Sequence, residues 1–217
     1  MTGGPAAAGT PGERQQQRVA ETRRRLGPDH PETLGAMLLL ADMRWAEGRL
    51  AAARELEEAV VAARRRLLGE AHPDTLKATT KLATTIGAQG DLDGARQLQE
   101  EVVHAHRSRA GEADRDTLRA LNNLAGTVAA QGDLAAARDL LEAAIGTMSR
   151  VLGEDDADTL LAMGNLAGIL WQEGERTEAY WLQHEVAERQ RRRCGGDDKA
   201  TRAALAVLDM MQRDQGP

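Results

Sequence analysis

Residues 68–92, LGEAHPDTLKATTKLATTIGAQGDL, return with changes at residues 110–134 as AGEADRDTLRALNNLAGTVAAQGDL. The glycine of the leading pair stands at Gly27, Gly69, Gly111, Gly153 and Gly195, and a threonine follows at Thr33, Thr75, Thr117, Thr159 and Thr201. A second glycine stands at Gly48, Gly90, Gly132, Gly174 and Gly216, and every series advances by 42 residues without an insertion. A fixed period of this length marks stacked structural repeats, each a unit that cannot bury its apolar face alone.

Inside one unit the apolar residues keep helical spacing rather than alternation. Leu118, Leu121, Leu124, Ala125 and Val128 form one stripe, and after Gln131-Gly132-Asp133 a second runs through Leu134, Ala137, Leu140, Ala144 and Val151. Each unit therefore reads as a helical hairpin: helix A from about the threonine, a turn at the second glycine, then helix B. That glycine supplies the left-handed conformation closing helix A. Pro31 and Pro73 suit the first turn of helix A, where a missing N–H costs little. The arginine runs Arg64–Arg66 and Arg191–Arg193 suit the C-terminal ends of B helices. Composition agrees with an all-α fold: there is no Phe, one Tyr and three Trp, against abundant Ala, Leu, Arg, Glu and Gln.

The unit LGxxHPxTLxxxxxLAxxxxxQGxLxxARxLxE resembles the long tetratricopeptide repeat of kinesin light chains and many bacterial adaptor proteins. The pairs Leu82-Ala83, Leu124-Ala125 and Leu166-Ala167, the turn glycines, and the small residues Ala53, Ala95, Ala137 and Ala179 all fall at that family's spacing. The ordinary repeat is about 34 residues, so the additional length is expected in helix B and the loop after it. HEAT-type repeats share a period of roughly 40–47, yet they do not predict this pattern. The resemblance implies an all-α, right-handed superhelical solenoid of antiparallel hairpins.

The expected organisation is a flexible leader over 1–12, a capping helix over 13–25, four repeats over 26–67, 68–109, 110–151 and 152–193, and a capping helix over 194–217. Arg202 and Asp209 replace apolar repeat positions in the last helix, which points to a polar outer face there.

Charge and motifs narrow the function. A formal charge of −6 argues against non-specific binding to nucleic acid or an anionic membrane. No apolar run approaches the length of a membrane span, and the first residues lack the zones of a secretory signal. With the single Cys194, expected as a packed thiol, this reads as a cytoplasmic protein of bacterial composition without a disulfide framework. His30 and His72 precede prolines and read as helix-start residues, and His104 and His106, two apart on one helix, point in different directions. No metal-ligand spacing, Walker loop or dinucleotide fingerprint is present. Neither a catalytic pair, a metal site nor a cofactor is expected.

The resemblance implies that A helices line a concave groove. Positions two, five, six, nine and twelve after each threonine then face it: Lys77, Thr80, Lys81, Thr84 and Gly87 in the second unit, and Arg119, Asn122, Asn123, Gly126 and Ala129 in the third. Lys77 and Lys81 are one helical turn apart, about 6 Å, and with Arg119 are expected to form a basic floor. Asn122-Asn123 matches the family's NNLA segment, whose asparagines hold the backbone of an extended peptide, and Asn165 repeats Asn123. An amide donates to a carbonyl and accepts from an N–H, which suits that task. Trp45 and Trp171 share one register and are candidate anchors at the rim. Leu38 and Leu39 make the first unit more apolar.

The leading expectation is a non-enzymatic adaptor that captures a protein or an extended, acidic or carboxylate-bearing peptide in this groove. Two alternatives stay open: an accessory or catalytic protein of small-molecule metabolism using the superhelix as a pocket, and a self-assembly module forming a homo-oligomer.

Overall fold

The structure is a computed structural model that describes residues 10–214. The expected leader lies outside the described residues from 1 to 9, as do residues 215–217 of the expected C-terminal segment, while Thr10, Pro11 and Gly12, also expected in the leader, form the cap and first turn of α1 because Thr10 and Glu13 close a capping box. The described chain forms α1 (Pro11–Leu26), α2 (Pro31–Ala46), α3 (Leu50–Leu68), α4 (Pro73–Ala88), α5 (Leu92–Ala110), α6 (Arg115–Ala130), α7 (Leu134–Val151), α8 (Ala157–Glu173), α9 (Arg176–Cys194) and α10 (Lys199–Asp214). Among the described residues the regular structure is entirely helical.

Helix A starts two residues earlier than the threonine register predicts, and its cap explains why. The residue three before each threonine is an N-cap: His30 Nδ1 accepts from the Glu32 N–H at 3.2 Å and His72 Nδ1 from the Asp74 N–H at 3.1 Å. Carboxylates do the same work later, with Asp114 accepting from Asp116 N–H at 3.0 Å and Asp156 from Asp158 N–H at 2.9 Å. Each cap satisfies a donor that the first helical turn leaves without a partner. Pro31 and Pro73 sit at the first helical positions, as expected.

The conserved spacing from glycine to threonine also has a physical cause. Thr33, Thr117 and Thr159 donate their hydroxyls to the carbonyls of Gly27, Gly111 and Gly153 at 2.9, 2.9 and 2.8 Å. These glycines have φ of 95°, 90° and 101°, a region that only glycine enters cheaply. The chain thus leaves helix B, reverses, and is tied to the start of the next helix A by one hydroxyl.

The B helices run 19, 19, 18 and 19 residues against 16 or 17 for α2, α4, α6 and α8, so part of the additional repeat length is in helix B. Their small residues Ala53, Ala95, Ala137 and Ala179 are completely buried. A Cβ placed on Gly87 of α4 would lie 3.4 Å from the Ala95 Cβ, which shows how closely A and B approach.

The described residues divide into two compact units, one up to Leu98 and one from Gln99. The first buries Leu34, Val60, Val61, Leu82, Ile86 and Ala95 together, with Met37, Leu38 and Leu98 packed against them. The second has a cluster of Leu160, Met163, Val186, Ala187 and Ala204, joined by Ile145 and Leu182. The final helix departs from the polar cap expected of it. Arg202 and Asp209 are exposed, but so are Leu205, Val207 and Met210, because only one stripe of α10 packs on α9.

A further bond crosses from α1 to α2 and, in the same register, from α9 to α10. Gln15 Nε2 donates to the Ala36 carbonyl at 2.9 Å, and Gln183 Nε2 to the Ala204 carbonyl at 2.8 Å. Glu57 holds the same register in α3, is 2% exposed, and leaves Oε2 without a hydrogen bond. Burial pushes its carboxyl pKa up, and nearby Asp42 adds to this, against the opposing pull of the Thr85 hydroxyl and Lys81. A raised carboxyl pKa means that the folded state binds the proton more tightly, so stability falls as pH rises from the ordinary glutamate range through the folded value. Glu57→Gln installs the amide donor that Gln15 and Gln183 supply in this register. It is expected to stabilise the protein at neutral pH by about 1 kcal/mol, a rise of roughly 2–4 °C in Tm, and to flatten that pH dependence in thermal melts. An equal or lower Tm at neutral pH would refute this account of Glu57.

Candidate functional site

The exposed faces of the A helices carry most of the residues singled out from sequence, and each unit arranges them differently. In the first unit, Lys77 and Lys81 are exposed on α4. Lys81 is ion-paired with Asp42 of α2, whereas Lys77 makes no ion pair among the described residues. Trp45, near the end of α2, is 45% exposed. Leu39 is exposed, while Leu38 packs on the core and does not contribute an open apolar surface.

In the second unit Arg119 lies 2.9 Å from the carboxylate of Asp158 and 4.0 Å from that of Asp116. Arg115 reaches the same Asp158 at 3.3 Å and also pairs with Asp156. Two arginines of α6 are therefore tied to the first turn of α8. This alters the expected basic floor: Lys81 and Arg119 each have a carboxylate from the neighbouring A helix, and Lys77 is the member without one among the described residues.

The asparagines separate into two roles. The repeat register predicts Asn122 on the open face, but it is 7% exposed, and its Oδ1 accepts a bond from Asn165 Nδ2 at 2.9 Å. The reason is that position five after the threonine turns toward the neighbouring A helix, α8. Asn123 and Asn165 are exposed, and Asn165 is oriented by that bond. Trp171 differs from its repeat mate Trp45: it is half-buried, with the Arg176 guanidinium 4.0 Å above its ring.

The remaining candidates resolve by position. His30 and His72 are helix caps. His184 lies among Tyr180 and Trp181 rings at 6.3 and 5.8 Å, a packing environment. Cys194, expected as a packed thiol, is exposed, because the last residue of α9 extends past the packed stripe. A depression of about 460 Å³ on the first unit is lined by Arg14, Arg18, Glu21, Arg25 and Glu32, a mixed-charge surface along α1.

One grouping was missed by sequence spacing. His106, buried on α5, lies beside Asp114 and Asp116 at the start of α6, with one ligand-capable atom of each within 4.8 Å of the others. The sequence comparison paired His106 with His104, which is exposed. The available signal was the short turn after Gly111, which returns the chain onto the end of α5.

Helical hairpins repeated in register, with variable side chains on one exposed face of the A helices, define a fold typical of protein–protein interaction scaffolds. The chain belongs to the tetratricopeptide repeat family: a family model described as tetratricopeptide repeat matches residues 35–108 and 116–179. A crystal structure of nearly identical TPR-like repeats from a Podosopora anserina protein described as a kinesin light chain is similar at 29% identity and TM-score 0.71, covering 83% of this chain and 85% of that one. The crystal structure of BtubC (BKLC) from P. vanneervenii shares the fold at 19% identity and TM-score 0.69, over 95% of this chain and 93% of that one. Yeast Tom70 shares it more distantly, at 17% identity and TM-score 0.56, with 94% of this chain matched to 39% of that one. Among curated protein sequences none matches the chain. No helix among the described residues is long and apolar enough to cross a membrane.

The contrast between Asn122 and Asn123 can be measured. Asn122→Ala is expected to lower stability by about 1 kcal/mol, since it removes a buried acceptor, which corresponds to roughly 2–4 °C. Asn123→Ala is expected to leave Tm unchanged within a degree or so. Equal losses in the two melts would contradict this division of roles.

Proposed function

We propose that the protein is a non-enzymatic adaptor of the cytoplasm whose A-helix faces bind an extended, carboxylate-bearing segment of a partner. In the first unit Lys77 and Lys81 carry the charge recognition, and the exposed Trp45 of α2 offers an apolar anchor. In the second, Arg119 supplies charge, Asn123 and Asn165 address the peptide backbone, Asn122 holds Asn165 in place, and Trp171 packs at the edge. The observation that carries this reading is the exposure of variable, hydrogen-bonding side chains at fixed repeat positions whose neighbours are buried framework.

The Lys81–Asp42 ion pair supports an acidic ligand rather than opposes it. Both Lys81 and Asp42 are about half exposed, at 44% and 48% of their side chains. An exposed pair of this kind contributes about 0–1 kcal/mol, so a ligand carboxylate can replace Asp42 at small cost. Lys77 needs no exchange. An amide at Asn123 or Asn165 can pair with either polar group of an extended main chain.

Self-association is a second reading, favoured by the exposed Leu205, Val207 and Met210 on α10. Light scattering over a range of concentrations separates it from the first, because it predicts a mass that rises with concentration.

Binding can be tested with arrayed extended peptides of acidic, neutral and basic composition. The triple variant Lys77→Ala, Lys81→Ala and Arg119→Ala is expected to retain its helicity and to lose at least tenfold in affinity for acidic peptides, about 1.4 kcal/mol. Binding by wild type is expected to weaken with added salt. Capture of acidic peptides that is unchanged in the variant would reject the assignment of these faces.

A further inference from the structure

His106, Asp114 and Asp116 stand out because the repeat explains only part of them. A carboxylate or imidazole at position 114 is the helix cap shared by every unit, and an acidic residue at 116 recurs at Asp74 and Asp158. Position 106 is different: its equivalents are Arg64, Met148 and Gln190. Arg64 sends its guanidinium to the Asp74 carbonyl at 2.7 Å, and Met148 is a fully buried apolar side chain. His106 does neither. It is 7% exposed, and its Nδ1 has no hydrogen-bond partner.

A buried imidazole nitrogen without a partner is costly. Here a ring nitrogen and one oxygen from each of two carboxylates lie within 4.8 Å of one another. The Asp114 Oδ2 atom is occupied by the N–H groups of Asp116 and Thr117, at 3.0 and 3.3 Å, which leaves its other oxygen available. Asp116 is half-buried and open to solvent on one side. We propose that His106, Asp114 and Asp116 form a binding site for a divalent transition-metal ion of the zinc type in the second unit.

The chemistry of the donor set supports this. One imidazole and two carboxylates are a mixed nitrogen and oxygen set, suited to zinc and its neighbours rather than to magnesium or calcium, which take oxygen ligands. A cation about 2.0–2.2 Å from each donor in tetrahedral geometry holds the donors about 3.3–3.6 Å apart, so side-chain rotations that draw the atoms of the 4.8 Å grouping together by about an ångström complete the site. Burial holds the His106 pKa below the ordinary histidine value, in spite of the opposing carboxylates, and Arg109 acts in the same direction as burial. That direction favours the neutral imidazole, the form that ligates. Two opposing features set the need for two carboxylates: the positive end of the α6 dipole, and Arg119 at 4.0 Å from Asp116. With three protein donors and a partly open side, water or a partner's side chain completes the coordination. The ion would staple the end of α5 to the start of α6.

The test uses the full chain, stripped with a chelator and titrated with Zn²⁺ by calorimetry and with Co²⁺ by visible absorption. The expected result is one ion per chain and a higher Tm with metal. His106→Met introduces the residue that occupies the same register at position 148 and should keep the fold. Asp116→Asn changes a single oxygen at the helix surface. Each is expected to weaken binding at least about tenfold, with helicity retained by circular dichroism, while His104→Ala binds as wild type does. The proposal is overturned if wild type takes up no stoichiometric Zn²⁺ or Co²⁺, if both ligand variants bind undiminished, or if Mg²⁺ competes on equal terms.

Discussion

The close approach of helix B to helix A at one alanine per hairpin is the constraint on which this structure depends. Ala53, Ala95, Ala137 and Ala179 are wholly buried, and a Cβ placed on Gly87 would stand in van der Waals contact, 3.4 Å, with the Ala95 Cβ. Dispersion and apolar burial reward that proximity only when both helices present the correct stripe. The glycine reversals, with the threonine ties at Thr33, Thr117 and Thr159, then fix how helix A follows helix B at those turns. A 42-residue step without insertion is the visible result, since one added residue would rotate the following helix by about 100° and turn its apolar stripe away.

Once the stripe is committed to packing, the opposite face of each A helix is free of that constraint. This is where the units diverge in chemistry, and where the neighbouring A helices interact by charge rather than by apolar contact. Lys81 reaches Asp42 within the first unit, and Arg119 and Arg115 reach Asp158 within the second. The Lys81–Asp42 pair is exposed on both sides and adds little to stability, so it leaves that surface available to a partner that offers competing carboxylates, whereas the Asp158 carboxylate is largely buried between its arginines. The same exposed face thus serves as a soft internal contact and as a recognition surface.

Departures from the framework are informative where they are buried. Glu57 stands where Gln15 and Gln183 donate an amide, and His106 stands where other units place Arg64 or Met148. Both bury a polar atom without a partner. Neither departure is visible as an anomaly in a single unit, because glutamate and histidine are ordinary on helix B. They become visible when the repeat shows what the position does elsewhere and the structure shows that the side chain is enclosed.

The sequence by itself determined the helical class, the hairpin unit, its period, the turn glycines and the buried alanines, because all of these follow from local periodicity and from contacts that recur at one spacing. It also located Lys77, Lys81, Arg119, Asn123 and Asn165 on an exposed face. Only the tertiary structure decided how those side chains are occupied. The burial of Asn122 against Asn165, the pairing of Arg119 with Asp158, the different surroundings of Trp45 and Trp171, and the meeting of His106 with two aspartates each depend on a second helix or a turn. Periodicity specifies which way a residue points from its own axis; what it meets there is set by the side chains that the neighbouring element brings, and these vary from repeat to repeat.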